Sequence, residues 1–194
     1  MGVISYIKEE IKVVKERDPA IKSDIEVFLY PSFKVMLHYR IAHKLYLKKH
    51  YFLARWVSQR GVRKTGIEIH PGATIGKGLF IDHGSGVIIG ETAILGDNIT
   101  LYQGVTLGAL STRQGQQLAD VKRHPTIGDN VTIYSNSTVL GGETVIGENT
   151  IIGGNTFITS SIPANTKVSA KSPELVIKKP RNTVSKADVW DWEN

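Results

Sequence analysis

The 194-residue sequence contains no cysteine, and this absence excludes disulfide frameworks, thiolate metal sites and cysteine nucleophiles together. It also lacks any run of about 18 consecutive apolar residues, the length that a membrane-spanning helix requires. The first residues, MGVISYIKEEIKVVKE, mix charges with apolar positions and do not resemble a signal peptide. We therefore expect a folded cytoplasmic protein with no membrane partner, whose base chemistry uses side chains other than cysteine.

Acidic residues are scarce near the N-terminus. Residues 1–65 hold 14 Lys and Arg against 6 Asp and Glu, whereas residues 66–194 hold 10 against 12. The basic segment KKHYFLARWVSQRGVRK could lie on phosphates, but no nucleic-acid-binding motif surrounds it. A solvated helix face explains it better, and we expect no nucleic-acid partner.

A six-residue repeat dominates the middle of the chain. Thirteen aliphatic residues recur in phase, with two small shifts and one longer interruption: Ile69, Ile75, Ile81, Ile89, Leu95, Leu101, Leu107, Ile127, Ile133, Val139, Ile146, Ile152 and Ile158. Glycine follows seven of them. This pattern predicts a coil of short strands in which one aliphatic residue per strand faces the axis. Three such strands make one triangular turn, and about four or five stacked turns bury a continuous core.

The segments beside the repeat have other patterns. Apolar residues recur at helical spacing over residues 3–17 and about 22–64, with breaks at Asp18-Pro19 and Pro31. We therefore predict a helical N-terminal domain over residues 1–64 and a mainly β domain over 65–168. The polar stretch 109–122 leaves the repeat as an excursion loop, and residues 169–194 form a C-terminal tail.

Six histidines are candidates for base chemistry, and two of them break the local pattern. His83 follows Asp82 within the repeat, where small residues are usual, and His124 follows Arg123 where the loop rejoins the repeat. Rule-breaking positions of this kind often carry function. The other histidines favour surface or packing roles, and no close pair of them suggests a metal site.

An imidazole with an ordinary pKa near 6.5 can accept the proton of an alcohol at neutral pH. Glu68 lies 15 residues before His83, so the two can reach one corner region on adjacent turns. A solvated Glu68 and an unrelated surface histidine would explain the spacing equally well. Arg123 offers a planar fork for a carboxylate, and Asp18 and Asp82 could accept hydrogen bonds from an ammonium group.

Four motifs make a family resemblance specific. RDPA at 17–20, TGIEIHPGATIGKGLFIDHGSGVIIGET at 65–92, GVTLG at 104–108 and RHPTIG at 123–128 resemble the serine acetyltransferases of the hexapeptide-repeat acyltransferase family. The likeness covers about residues 15–165. It implies a left-handed parallel β-helix, L-serine and acetyl-CoA as substrates, and no permanently bound cofactor or metal.

The resemblance also implies roles for individual residues. The general base falls on His83 and its carboxylate partner on Glu68, where many members have Asp. Serine recognition falls on Asp18 and Asp82 for the amino group and on Arg123 and His124 for the carboxylate. Acetyl-CoA binding is expected at four positions on the repeat: Gly108, Ala109, Ser135 and Gly154. The implied reaction is direct transfer to the serine hydroxyl, with no covalent enzyme intermediate.

The departures from the family fall on the acetyl-CoA side. This chain has GVTLGALS where the family usually has GVTLGGTG, and IYSNSTVLG where the family usually has IGAGAKVLG. SAKS at 169–172 replaces the usual GVPA. The chain ends in Asn194 and not in the Ile peptide that inserts into cysteine synthase, which argues against that complex. We expect a homotrimer first and a hexamer second.

Three other functions stay open at the level of sequence. The first is acetylation of another hydroxyl acceptor, such as a sugar, homoserine or a xenobiotic. The second is a metal-dependent carbonic anhydrase on the same helix, which would need three histidines on one ion. The third is an inactive, partner-binding relative of the enzymes.

Overall fold

A computed structural model gives the fold and describes residues 3–111, 113, 115–119 and 121–171, with side chains from residue 7 onward. The chain begins with α1 (Val3–Arg17), a 3-10 helix (Asp24–Leu29), α2 (Pro31–Leu47) and α3 (Tyr51–Thr65). Pro31 is tolerated at the first turn of α2, where its missing N–H leaves no helical bond unmade. In the described part of the chain, no helix is both long and apolar enough to cross a bilayer.

One break in the helical region was not predicted from the sequence. The helical segment predicted over about 22–64 has no glycine or proline between residues 32 and 60 to mark a break, but α2 ends at Leu47 and α3 begins at Tyr51. Lys49 between them adopts φ 63°, the left-handed conformation that reverses the chain. α3 consequently packs against α2, and Gly61 permits close contact with the His38 side chain.

Fourteen short parallel strands follow in the part of the chain that the structure describes. They are β1 (Glu68–Ile69), β2 (Thr74–Ile75), β3 (Phe80–Ile81), β4 (Ile88–Ile89), β5 (Ile94–Leu95), β6 (Thr100–Leu101), β7 (Thr106–Gly108), β8 (Thr126–Ile127), β9 (Thr132–Ile133), β10 (Thr138–Leu140), β11 (Val145–Ile146), β12 (Ile151–Ile152), β13 (Phe157–Ile158) and β14 (Lys167–Val168). A second 3-10 helix, Gly115–Leu118, lies in the loop between β7 and β8.

The strands form three sheets, which are the three walls of a prism. Sheet 1 has the order β1-β4-β7-β10-β13, sheet 2 the order β2-β5-β8-β11, and sheet 3 the order β3-β6-β9-β12-β14. Each strand pairs with the strand one coil away, so every coil hydrogen-bonds to its neighbours. This is the stacked parallel coil that the repeat predicts.

The thirteen aliphatic residues of the repeat fill the axis of the prism, and each of them is at most 7% exposed. Their neighbours in the strands point outward, because successive side chains alternate across a strand. A second set of apolar residues, two positions before most of the thirteen, completes the core at the corners, and Ile67, Val87 and Ile99 among them are fully buried.

Asparagine occupies one edge of the prism, where sheet 2 passes into sheet 3. Asn98, Asn130, Asn149 and Asn165 all adopt φ between 55° and 58° there. Each side-chain amide bonds to the next along the edge, at 3.3, 3.1 and 3.1 Å. Asn tolerates the left-handed conformation that these sharp corners require.

The helical region caps the first coil, which has no coil below it to satisfy its backbone groups. The caps are Ser58 Oγ to Ile69 O (3.1 Å), His43 Nδ1 to Pro71 O (2.8 Å), Tyr39 Oη to Ala73 O (2.6 Å), and Arg40 to Ile75 O (2.8 Å) and Gly76 O (2.5 Å). Ser32 Oγ also accepts the Ile81 N–H at 3.2 Å. An open sheet edge would otherwise leave these groups unpaired.

A second, smaller core joins the helices to the outer surface of sheet 3. Val14, Val27 and Phe33 bury the outward-facing Phe80 of β3. On the next coil, Thr100 Oγ1 accepts a hydrogen bond of 2.7 Å from Arg17 Nη1. The end of α1 and the residues after it are thereby fixed beside the corner that follows β3.

Candidate active site

Two edges of the prism carry the residues singled out from the sequence. The His83 corner, between sheets 3 and 1, consists of residues 82–86, 102–104, 134–136 and 153–155 on successive coils. The Arg123 corner, between sheets 1 and 2, consists of residues 70–73, 90–92, 108–109, 122–124 and 140–144. Asp18, Asp82 and His83 come together at the first corner, and Arg123 and His124 lie at the second.

His83 has a left-handed backbone conformation and an exposed side chain at its corner. Its φ of 58° places it in the conformation that Asn and Gly occupy at the other corners, and its side chain is 75% exposed. The left-handed backbone turns the imidazole away from the axis and into solvent. Its acidic neighbour is Asp82, with 3.9 Å between His83 Nε2 and Asp82 Oδ1.

Asp18 reaches the same corner from the end of α1. Tyr30 Oη donates a hydrogen bond of 2.7 Å to Asp18 Oδ2, and the Ala20 N–H donates one of 2.7 Å to Asp18 Oδ1. The bond from Tyr30, followed by that from Ala20, lowers the pKa of Asp18, and the charge of His83 adds to the effect. The same bond raises the pKa of Tyr30 to about 12. Asp18 is therefore held as a carboxylate facing the imidazole.

Glu68 lies on β1, in the wall between the two corners. Its carboxylate is 4.0 Å from Arg55 Nη1 of α3, and its side chain is 40% exposed. Within the described part of the chain, no hydrogen bond or ion pair joins Glu68 to His83. The pairing of these two residues as base and orienting carboxylate stays a prediction.

The four residues expected to bind acetyl-CoA divide between the corners. Ser135 and Gly154 stand on the His83 corner, where the Asn155 N–H donates to Ser135 O at 2.9 Å. Gly108 ends β7 at the Arg123 corner, and Ala109 follows it into the loop. Above Asp82, the Tyr102 and Tyr134 rings stack with centroids 4.8 Å apart.

The Arg123 side chain is held at its corner by an ion pair and by hydrogen bonds to backbone carbonyls. Its Nη2 forms an ion pair with Glu91 Oε2, and its Nη1 donates to Leu118 O at 2.9 Å and to Val121 O at 3.5 Å. The Arg123 side chain is 23% exposed. These contacts use at most three of the five guanidinium N–H donors, so donors remain for a ligand.

His124 is buried beside Arg123. Its Nδ1 accepts the Thr92 N–H at 3.1 Å, which leaves the ring proton on Nε2 in the neutral form. Thr92 Oγ1 also accepts the backbone N–H of Arg123 at 2.9 Å and of His124 at 3.0 Å. Burial, then the charge of Arg123, lowers the pKa of His124 to about 4. His124 can consequently offer a neutral N–H donor at pH 7.

Glu91 connects the Arg123 corner to the helical region. Tyr46 Oη donates to Glu91 Oε1 at 2.8 Å, while Glu91 Oε2 faces Arg123. Burial raises the pKa of Glu91, but the bond from Tyr46 and the charges of His70 and Arg123 outweigh it and lower the pKa overall. His70 packs beside this group, and burial lowers its own pKa to about 4.

Sequence reasoning missed four members of these clusters: Tyr30, Tyr46, Glu91 and Thr92. Glu91 and Thr92 had no distinctive signal, because the same Gly-Glu-Thr sequence recurs at residues 142–144 of the same corner. Tyr30 and Tyr46 had none, since each is one tyrosine of a helical segment whose partner lies 12 or 45 positions away.

Among the described residues, no group of three or more histidine and acidic side chains is placed to hold a metal ion. His70, His83 and His124, which a metal-dependent alternative would need, are split between the two corners. The Asn194 terminus and Ser172 of the tail lie outside the described residues.

The chain was compared with family models, with curated proteins and with solved structures. No family model matches the chain. It is 49% identical over 132 residues to a serine acetyltransferase of Staphylococcus aureus (strain MSSA476), a match covering 68% of this chain and 59% of that protein. With the serine acetyltransferase of Staphylococcus epidermidis (strain ATCC 35984) it shares 48% over 130 residues, covering 66% and 58%. The chain thus spans less than two thirds of these relatives' length.

Solved structures agree with the sequence relatives. The serine acetyltransferase of Neisseria gonorrhoeae superposes with a TM-score of 0.78 and 36% identity, over 87% of this chain and 65% of that one. Serine acetyltransferase isoform 3 of Entamoeba histolytica, in complex with cysteine, gives 0.81 and 40%, over 90% and 61%. The predicted fold, a left-handed parallel β-helix after a small helical region, is confirmed. The chain belongs to the serine acetyltransferase family.

Proposed function

We propose that this chain is a serine O-acetyltransferase, which transfers the acetyl group of acetyl-CoA to the hydroxyl of L-serine and yields O-acetyl-L-serine for cysteine synthesis. The observation that carries the proposal is the His83 corner, where an exposed imidazole stands beside two carboxylates, Asp18 and Asp82. The imidazole can take a hydroxyl proton while the carboxylates hold the ammonium group of the same amino acid. The relatives named serine acetyltransferase support this acceptor.

In the proposed reaction, His83 accepts the serine hydroxyl proton as the serine oxygen attacks the thioester carbonyl carbon. A tetrahedral intermediate forms, and backbone N–H groups stabilise its oxyanion. The carbon–sulfur bond then breaks, and the proton on His83 goes to the departing CoA sulfur. The acetyl group ends on the serine oxygen, and the imidazole returns to its neutral form.

Arg123 and His124 are proposed to bind the serine carboxylate. Arg123 retains guanidinium donors beyond those that face Glu91 and the loop carbonyls. His124 adds the Nε2–H donor that its contact with Thr92 fixes. A carboxylate bound by a cation and a neutral donor lies in a fixed orientation.

Acetyl-CoA is proposed as a co-substrate, bound along the corner residues Gly108, Ala109, Ser135 and Gly154, with no permanently held cofactor. Tyr134, 42% exposed, adds an aromatic surface beside Ser135. We place the protein in the cytoplasm, where acetyl-CoA is available. We retain the division into a helical domain (1–64), a catalytic β-helix (65–168) and a tail (169–194).

A homotrimer, with a hexamer as second choice, is the proposed assembly. The His83 and Arg123 corners are different edges of one prism, so a site using both forms most simply between neighbouring chains. The outer faces of the walls support this, since Ile88, Ile94, Val145 and Phe157 point outward and are 41–71% exposed. Light scattering after gel filtration tests the assembly, and a monomer would contradict it.

The function is tested by CoA release from acetyl-CoA with L-serine, L-homoserine, a sugar and a xenobiotic alcohol. We expect serine to give the highest kcat/KM. A preference for another acceptor would overturn the proposal, and so would CoA binding without any turnover.

The role of His83 is tested with His83→Asn, because Asn is the residue that the other corners carry at this φ. The change removes the base without straining the backbone. We expect kcat to fall by roughly 10²–10⁴-fold, the effect of a lost general base. His50→Asn, at an exposed turn, is the control, and near-normal turnover of His83→Asn would contradict the assignment.

A further inference from the structure

We infer that Tyr46 is a positioning residue for the acceptor: its hydroxyl holds the Glu91 carboxylate, which in turn orients the Arg123 guanidinium toward the carboxylate of serine. The inference rests on the proposed function and extends the site into the helical region. It gives α2 a role in substrate recognition in addition to its role as a cap.

The geometry is a chain of three side chains. Tyr46 Oη donates to Glu91 Oε1 at 2.8 Å, and Glu91 Oε2 pairs with Arg123 Nη2. The two carboxylate oxygens thus have separate partners, and the carboxylate plane is fixed at both ends. The side chains of Glu91 and Arg123 are only 28% and 23% exposed, so water competes weakly for these charge-assisted bonds.

Tyr46 is itself held firmly. Its ring meets the His70 ring edge-on at 5.9 Å and the Tyr51 ring at 5.1 Å. It also lies against the Cα of Gly72, where a side-chain methyl would come within 3.0 Å of the Tyr46 ring and 3.1 Å of its hydroxyl. The phenol therefore has one well-defined position from which to bind Glu91.

The position of Tyr46 follows from the way α2 caps the prism. Tyr39, His43 and Tyr46 recur at helical spacing and share one face of α2. Tyr39 bonds to Ala73 O and His43 to Pro71 O, both on the first coil. Tyr46 continues this line to Glu91, on the second coil. The caps that close the open end of the β-helix also set the tyrosine hydroxyl at the Arg123 corner.

Arg123 needs this support because a planar guanidinium recognises a carboxylate only when its fork is aligned. Its Nη1 contacts are to Leu118 O and Val121 O, carbonyls of the long loop between β7 and β8. Glu91, in contrast, stands on the corner after β4, a regular part of the prism. Of the groups that contact the Arg123 guanidinium, the Glu91 carboxylate held by Tyr46 is thus the one fixed to the regular part of the fold.

The test is Tyr46→Phe, which removes only the hydroxyl, with Tyr51→Phe as matched control. The Tyr51 ring touches Tyr46, and its hydroxyl has no hydrogen-bond partner among the described residues. We expect Tyr46→Phe to raise the KM for serine roughly five- to tenfold with kcat within about twofold, because Tyr46 acts on serine only through Glu91 and Arg123 and less than the full value of one hydrogen bond to a charged group is lost. The KM for acetyl-CoA and the behaviour of Tyr51→Phe should match the wild type.

Two further measurements separate positioning from a merely structural role. With L-serinamide, which lacks the carboxylate, Tyr46→Phe should behave like the wild type. In the Arg123→Ala background, Tyr46→Phe should add no further increase in the KM for serine. An equal penalty on serine and serinamide, or additive effects of the two changes, would overturn the inference.

The proposed function and this inference fail in different ways. If the wild type does not acetylate serine, the proposed function fails and the role of Tyr46 fails with it. If the wild type acetylates serine and Tyr46→Phe is indistinguishable from Tyr51→Phe, only the role of Tyr46 is refuted.

Discussion

The imidazole of His124 lies directly against the Cα of Gly90, one coil away. A methyl group built on Gly90 would overlap His124 Cδ2 and Nε2. The His124 ring therefore packs directly on the Gly90 backbone. Because Gly90 has no side chain, the ring can be buried, and this burial keeps it neutral.

We expect Gly90→Ala to displace His124 and to raise the KM for serine by about tenfold or more, since misplacing a binding group by about 1 Å costs up to 10²-fold. Steady-state kinetics with serine and acetyl-CoA measure this. In the His124→Ala background the same change should have little further effect, because the clash is then absent. A full effect in both backgrounds would show that Gly90 acts through another neighbour.

Tyr30→Phe tests how Asp18 is held. The hydrogen bond from Tyr30 is the largest cause of the lowered pKa of Asp18, so its loss should raise that pKa toward the ordinary value. We expect the KM for serine to rise only a few-fold, because Asp18 keeps its negative charge and its bond from the Ala20 N–H and loses one of its two hydrogen bonds. Carboxyl NMR and kinetics give the two readouts, and Tyr51→Phe should leave both unchanged. An unaltered pKa would refute this account.

Arg40→Ala tests the cap on the first coil. It removes the bonds to Ile75 O and Gly76 O, and two carbonyls at the end of the prism lose their charged donor. We expect the free energy of unfolding to fall by about 1.5–3 kcal/mol. Denaturant unfolding measures it. The control is Arg63→Ala, on an exposed part of α3, and a loss equal to that of the control would contradict the capping role.

Stability should fall as the pH is lowered from 7 to 5. Burial lowers the pKa of His70 and of His124 to about 4, against about 6.5 in the unfolded chain. The unfolded state therefore binds more protons between pH 6.5 and 4, and stability decreases as the pH falls through this window. A loss of about 1 kcal/mol would lower Tm by roughly 2–4 °C.

His70→Asn and His124→Asn provide the check on this pH dependence. The Asn Oδ1 can replace Nδ1 in accepting the Gly72 and Thr92 N–H groups, but it does not titrate. The double variant should show a flatter Tm between pH 7 and 5, whereas His50→Asn should keep the wild-type slope. An unchanged slope in the double variant would assign the effect to other groups.

The sequence by itself determined the stacked parallel coil, because the repeat is a local signal, and the motifs that resemble the family added its left-handed sense. Each in-phase aliphatic residue faces the axis of its own coil. Successive strands begin about six residues apart, so the pattern can be recognised without knowing which distant residues are in contact. His83 could also be identified this way, as a histidine where the repeat otherwise has small residues. The turn at Lys49 could not, since no glycine or proline marks it in the sequence.

Only the tertiary structure decided which charged and polar groups meet. Tyr46 and Glu91 are 45 positions apart, and Tyr30 reaches Asp18 only because α1 and the 3-10 helix pack beside β3. Such pairs depend on how the helices cap the prism, and nothing in the local spacing of tyrosines encodes it. The sequence marked the corners that carry chemistry, and the packing of α2 on the first coil supplied the tyrosine hydroxyl at one of them.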